Sequence, residues 1–252
     1  MLDLLRVLVG AAVLLYAVHT DLRTRRVPNR TWLLPIGAGL AMDVPDALEG
    51  GALFLRGAAL SAGVMVPLAL AIYYFPGSGF GGADAKALIA LSVLFPAWPA
   101  LGALPVSQSS AFALGAFTAP SGVFTLGLLY NALFLSLLIP LGFLLWNLKR
   151  GARSRFMWVG YPVPVSRLDP TRMKLLHPIP GDPERAGALG AFRGRKVTEP
   201  MVRDLEARLG AGGEVWVTPL LPFMVSLAFG FVVALVFGNV LLWVATLGRL
   251  PA

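Results

Sequence analysis

The 252-residue chain is 57% hydrophobic and 13% charged, with a formal net charge of +8 and a mean hydropathy of +0.74. That composition lies outside the range of soluble domains and marks a membrane protein, in which the basic excess is expected to face anionic lipid rather than nucleic acid. The absence of cysteine excludes disulfides, Cys-ligated zinc and thiol nucleophiles, and the two histidines, His19 and His177, cannot build a zinc site without carboxylate help.

The chain opens on an apolar run, Leu4 to Thr20, with no small-residue cleavage pattern, so it is expected to be retained as a span rather than removed as a signal. A second and weaker run, Thr31 to Met42, is interrupted by Pro35 and Gly37. Further candidate spans are Gly57 to Phe75, Ala87 to Leu104, Gly122 to Trp146 and Thr218 to Leu247. Between residues 87 and 148 there is no Asp, Glu, Lys, Arg or His. As one helix that stretch would measure about 90 Å, roughly three bilayer cores, so it must fold back.

Arg23, Arg25, Arg26 and Arg30 follow the first run, and Lys149, Arg150, Arg153 and Arg155 follow the fifth. Both groups belong in the cytoplasm by the positive-inside rule. The segment DVPDALEGG, with Asp43, Asp46 and Glu49, and the uncharged PVSQSS to TAPSG stretch are assigned outside. Six transmembrane helices with the N-terminus outside satisfy these four loops, giving an all-α polytopic membrane protein in which Asp21 and Asp84 share the cytoplasmic side. The expected organisation is a transmembrane core over residues 1–148, a small cytosolic α+β insert over 149–214, and a final span with the C-terminus over 215–252. The insert carries thirteen basic against seven acidic residues. It shows β-like alternation in RFMWVGYPVPVSRL, a Pro/Gly turn region at HPIPGDPE, and an amphipathic helix from Thr198 to Leu209. Thr198 suits that helix's cap, Pro200 its first turn, and Gly210 a left-handed end. Trp146, Trp158 and Trp216 read as interface anchors.

Residues 77–88 read GSGFGGADAKAL. Gly77, Gly79 and Gly82 satisfy a dinucleotide fingerprint literally, but that fingerprint needs a preceding strand and an acidic residue about 20 positions on. Here an apolar run precedes it, and the next acidic residue after Asp84 is Asp169. The alternative is that Gly81 and Gly82 let the backbone turn sharply beside Asp84 at a helix N-terminus, where a carboxylate is favourable. As a structural cap Asp84 would need no further explanation. Asp21, however, stands at the edge of the first run, and carboxylates at the border of a membrane span cost enough to point to function. Two adjacent carboxyls cannot both ionise, so one can serve as base toward water and the other as acid toward a scissile carbonyl. Lys86 is expected to point toward headgroups or a substrate carbonyl, His19 to be an interfacial residue, and Asn29 and Arg30 to help position their loop.

HTDLRTRRVPNRTWL and GGADAKAL, in this order, resemble the two conserved blocks of the type IV prepilin peptidase family, and EVWVTPLLPFMVSLAFGF resembles the segment entering the last span in its archaeal preflagellin and prepilin peptidase branch. The resemblance covers nearly the whole chain. It implies a membrane aspartic endopeptidase of the GxGD type that removes short basic leaders from archaellin or type IV pilin precursors at the cytoplasmic face, with Asp21 and Asp84 catalytic and no cofactor or metal. Gly81, Gly82, Ala83 and Lys86 would support them. Ala83 departs from the family pattern, which has a glycine at that position.

Two rivals make different predictions. A presenilin-like intramembrane protease shares the GxGD-like motif and uses a Pro-Ala-Leu element, and Pro99-Ala100-Leu101 occurs here, about 22 Å along the same expected helix. A proton-coupled transporter predicts internal repeats and acidic residues at mid-membrane, neither of which the chain displays.

Overall fold

The computed structural model describes residues 1–75, 80–102, 104, 122–176, 194–220 and 223–240. His177, the HPIPGDPE region, residues 105–121 of the PVSQSS to TAPSG stretch, and Gly77 and Gly79 lie outside the described residues. The chain divides into two compact units, one of residues 1–136 with the C-terminal helix, the other Leu137–Leu221.

The first unit is helical. Helix α1 (Leu2–Thr24) buries one stripe, Gly10, Val13, Leu14 and Ala17, at the spacing of a single helix face, while Leu4, Leu8, Leu15 and Tyr16 stay exposed as a lipid-facing surface would. It runs four residues beyond the expected Thr20, so Asp21 stands in its last turn rather than after it. Arg25 closes it in a left-handed conformation (φ 57°), its N–H bonded to the Asp21 carbonyl oxygen at 2.9 Å.

A 3-10 turn, Asn29–Trp32, leads into helix α2 (Leu33–Tyr74). The sequence suggests two spans separated by an acidic outside loop. Instead, helix continues through Asp43, Pro45, Asp46 and Glu49, and the break shrinks to Gly51, whose φ of 53° and ψ of −136° suit only a residue without a side chain. The acidic residues are therefore not loop residues. Asp43 and Asp46 point at Arg6 of α1, at 2.8 and 2.7 Å, and Arg6 also donates to the Leu94 carbonyl oxygen. One buried guanidinium thus joins three helices.

Helix α3 (Gly82–Leu94) is apolar on most sides after its first two turns, and most of it is buried, with Lys86 exposed near its start. It ends at Leu94, ten residues short of the expected Leu104. The residue before a proline disfavours helix, and Phe95 precedes Pro96. A Cβ added to Gly39 of α2 would lie 2.8 Å from the Leu94 Cα and the Val93 oxygen, so this glycine sets how closely α2 approaches α3. The Ser61 hydroxyl donates to the Ser92 and Phe95 carbonyl oxygens and fixes the same pair.

Helices α4 (Phe124–Ser136) and α7 (Phe223–Phe237) cross where Gly230 meets the backbone of Leu128 and Ala132. The final apolar helix begins at Phe223 rather than at the expected Thr218, which belongs to a strand. Phe95, Phe124 and Phe231 stack at 4.7 to 5.8 Å in the centre of the unit.

The second unit holds helix α5 (Leu138–Lys149) and four short strands: β1 (Tyr161–Pro164), β2 (Met173–Leu175), β3 (Arg195–Lys196) and β4 (Glu214–Pro219). They form an antiparallel sheet in the order β1-β4-β2-β3. Helix α6 (Glu199–Leu209) adds Leu205 to a core of Val163, Val165, Leu175, Val197, Val215 and Val217. Thr198 occupies the cap position without a side-chain hydrogen bond, and Gly210 ends the helix at φ 72°, ψ 165°, a glycine conformation but not the left-handed helical one expected. Within the alternating segment, only residues 161–164 form a strand; the part before it is turns. Buried Asn147 donates to the Met157 and Gly160 carbonyl oxygens, tying the end of α5 to the turn that feeds β1.

Among the described residues, three helical stretches are long and apolar enough to cross a membrane: Leu2–Thr24, Asn29–Tyr74 and Phe124–Lys149. Phe223–Phe237 is apolar but shorter.

Candidate active site

Gly81 precedes the first turn of α3, and Asp84 is the third residue of that turn. The Asp84 Oδ2 accepts a hydrogen bond from the Gly81 N–H at 2.8 Å. Asp84 therefore fills the acidic position of a capping box, satisfying one of the donors that every helix start leaves over. Gly81 has no side chain to return the bond, and a Cβ there would come within 3.3 Å of Asp84 Oδ2. The glycine thus gives the carboxyl room to fold back against the backbone. Asp84 lies just inside the helix start, in the first turn rather than at the cap position, and is only 7% exposed.

Asp21 lies half-buried in the last turn of α1. It is 63 positions from Asp84 in the sequence, and the turn that follows its helix is bonded to α3 through Asn29 and Lys86. Both also meet a helix terminus: Asp84 the positive start of α3, Asp21 the end of α1. Arg25, one turn after Asp21, adds a positive field on that side.

The supporting residues divide. Lys86 is exposed and donates to Asn29 Oδ1 at 2.8 Å. It ties α3, which carries Asp84, to the turn that follows α1, the helix that carries Asp21. Gly82 faces Tyr73, whose ring would lie 3.5 Å from a Cβ placed there. Tyr73 is a neighbour the sequence reading did not single out, and its position at the end of an apolar run, just before the glycine stretch, was the available signal. Ala83 is helical within α3, so the departure from glycine imposes no strain. His19 is exposed on α1 and Arg30 is exposed in the 3-10 turn. The dinucleotide reading loses its strand, since helix runs to Tyr74 before the glycines. Among the described residues no group of three or more His, Cys, Asp or Glu is placed to hold a metal ion.

The Pro99-Ala100-Leu101 element lies beyond the end of α3 rather than on it. The Ala100 N–H donates to Asp3 Oδ2 at 2.8 Å. Asp3 stands at the opposite end of α1 from Asp21, about 27 Å away by helical rise.

The profile of the type IV leader peptidase family matches residues 8–146, which include both aspartates. The chain belongs to the type IV leader peptidase family. Residues 152–240 match a second profile, the archaeal peptidase A24 C-terminus of type II, so the family assignment continues through the sheet unit and into α7. The peptidase is also similar to the preflagellin peptidase of Methanocaldococcus jannaschii, with 23% identity over 240 residues, covering 92% of this chain and 93% of the relative.

Proposed function

We propose that this membrane peptidase is an aspartic endopeptidase that cleaves short basic leader peptides from archaellin or type IV pilin-like precursors, with Asp21 and Asp84 as the catalytic pair. The observation that carries the reading is that a carboxyl in the last turn of α1 and a buried carboxyl in the first turn of α3 stand on helices joined through the Lys86–Asn29 hydrogen bond. The printed activity of the Methanocaldococcus jannaschii relative supports the substrate class.

Two neighbouring carboxyls with one proton between them complete a hydrolysis. The ionised one takes a proton from water as the oxygen attacks the scissile carbonyl carbon. The protonated one donates to the carbonyl oxygen, and the resulting diol collapses as the amide nitrogen leaves with a proton. Either aspartate can take either role. The Gly81 N–H holds Asp84 in one orientation through this cycle, so less ordering remains for substrate to impose.

Six spans with the N-terminus outside place both aspartates and the sheet unit at the cytoplasmic face, where the arginines after α1 and α5 meet anionic headgroups. A basic leader is then held by the same headgroups while the precursor's apolar helix supplies most of the binding. The presenilin-like rival is disfavoured by the Pro-Ala-Leu element's contact with Asp3, at the far end of α1.

Co-expression with a tagged archaellin or pilin precursor tests the proposal. Wild type shortens the precursor at the junction between leader and apolar stretch, while Asp21→Asn and Asp84→Asn each leave it full length. A variant that processes at the wild-type rate would remove that aspartate from the mechanism, and a cut inside the apolar stretch would favour the rival.

A further inference from the structure

A groove of about 780 Å³ opens in the sheet unit between the end of α5 and strand β1, within the usual size of ligand sites. Ile139, Phe143 and Trp146 line it from the helix and Tyr161 from the strand, while Arg150 and Arg167 stand at its edge with one carboxylate, Glu214. Both arginines are exposed, and neither is in a salt bridge among the described residues. The Arg150 guanidinium lies 4.3 Å over the Trp146 ring, which fixes its base while leaving its outer donors free. Two guanidiniums against one carboxylate leave the rim cationic.

Strand β1 is an edge of the sheet. The Val165 N–H bonds the Gly213 carbonyl oxygen, so by the two-residue alternation of a strand the odd-numbered residues turn their backbone to β4 and Pro162 and Pro164 turn theirs outward. Proline has no N–H, and the free edge therefore offers no donors to an extended peptide. A leader peptide could not add as a strand, and a basic one would be repelled by the rim. The place in the chain points elsewhere: Arg150 directly follows Phe124–Lys149, one of the stretches able to cross a membrane, and Trp146 stands one turn earlier. Cationic side chains and tryptophan at the end of a span mark the headgroup level.

We propose that this groove binds an anionic phospholipid, its phosphate taken by Arg150 and Arg167 and its upper chain laid against Ile139, Phe143 and Trp146. The bidentate fork of arginine suits the phosphate oxygens, and the aromatic walls suit the first chain carbons. The bound lipid anchors the sheet unit at the membrane surface through a defined site rather than through diffuse charge.

The test uses the full-length protein in detergent, titrated with phosphatidylglycerol or phosphatidylcholine while binding is followed by native mass spectrometry. Wild type retains phosphatidylglycerol in preference to phosphatidylcholine, and Arg150→Gln/Arg167→Gln loses that preference, with an affinity drop on the order of thirtyfold for two surface arginines. The charge-matched control Arg153→Gln/Arg172→Gln, which removes the same charge elsewhere in the unit, keeps it. Equal retention of phosphatidylglycerol by the groove variant and wild type would overturn the proposal, as would equal losses in groove and control variants, which would mean diffuse attraction. Competition by glycerol 1-phosphate as strong as that by the lipid would make the site one for a soluble phosphate, and displacement of the lipid by a synthetic leader peptide would make it a peptide site; either contradicts the lipid assignment.

Discussion

Replacing Arg6 with methionine probes the joint that holds the first three helices in register. Its guanidinium makes three hydrogen bonds, to Asp43, Asp46 and the Leu94 carbonyl oxygen, at 2.6 to 2.8 Å, and is 2% exposed. The two carboxylates are 19% and 29% exposed, so water compensates only partly for the loss of the cation. Arg6→Met leaves two adjacent carboxylates facing each other and an orphaned carbonyl oxygen. Removing one side of a buried charge cluster costs about 3 to 5 kcal/mol, which for a chain of this size corresponds to a fall in melting temperature of about 6 to 20 °C. The triple variant Arg6→Met/Asp43→Asn/Asp46→Asn removes the uncompensated charges and recovers more than half of that loss, because a neutral cluster carries no such penalty. Thermal unfolding of the full-length protein in detergent, followed by tryptophan fluorescence, measures both. An Arg6→Met protein that melts with wild type, or a triple variant less stable than the single one, would refute the reasoning.

Two further substitutions test how the aspartates are placed. Gly39→Leu drives a side chain into the backbone at Val93 and Leu94, costs about 1 to 3 kcal/mol as an overpacked contact, and slows precursor processing because α3 carries Asp84; Gly63→Leu on α2, where a Cβ meets nothing within 4 Å, serves as the neutral control. Lys86→Met breaks the bond to Asn29; an exposed hydrogen bond of about 1 kcal/mol sets a processing loss of roughly fivefold with little change in melting temperature, and a complete loss of activity would mean that Lys86 touches substrate.

Much of this architecture is legible in the sequence. Composition alone requires a membrane protein, and the glycines before Asp84 announce a sharp turn into a helix, as found at Gly81 and Asp84. The end of α3 was misplaced at Leu104, although Phe95-Pro96 and Pro99 mark an earlier stop. Helix α2 was not legible. Pro45 and the Gly50-Gly51 pair look like a loop, and only the pairing of Arg6 with residues 37 and 40 positions away gives Asp43 and Asp46 a reason to be helical. The link from Lys86 to Asn29 was hidden for the same reason: it spans 57 positions and leaves no local pattern. Asn147, an amide at the end of an apolar run, did carry a signal, because a buried amide needs partners and finds them at the entrance to β1.

The central claim is that Asp21 and Asp84 serve one centre, and the absence of native cysteine makes it directly measurable. Asp21→Cys/Asp84→Cys in native membranes is treated with a short homobifunctional thiol reagent, with Asp3→Cys/Asp84→Cys as the control from the opposite end of α1. The account predicts a high yield of intramolecular cross-link in the first variant and none in the second. A cross-link in the control but not between positions 21 and 84 would contradict it.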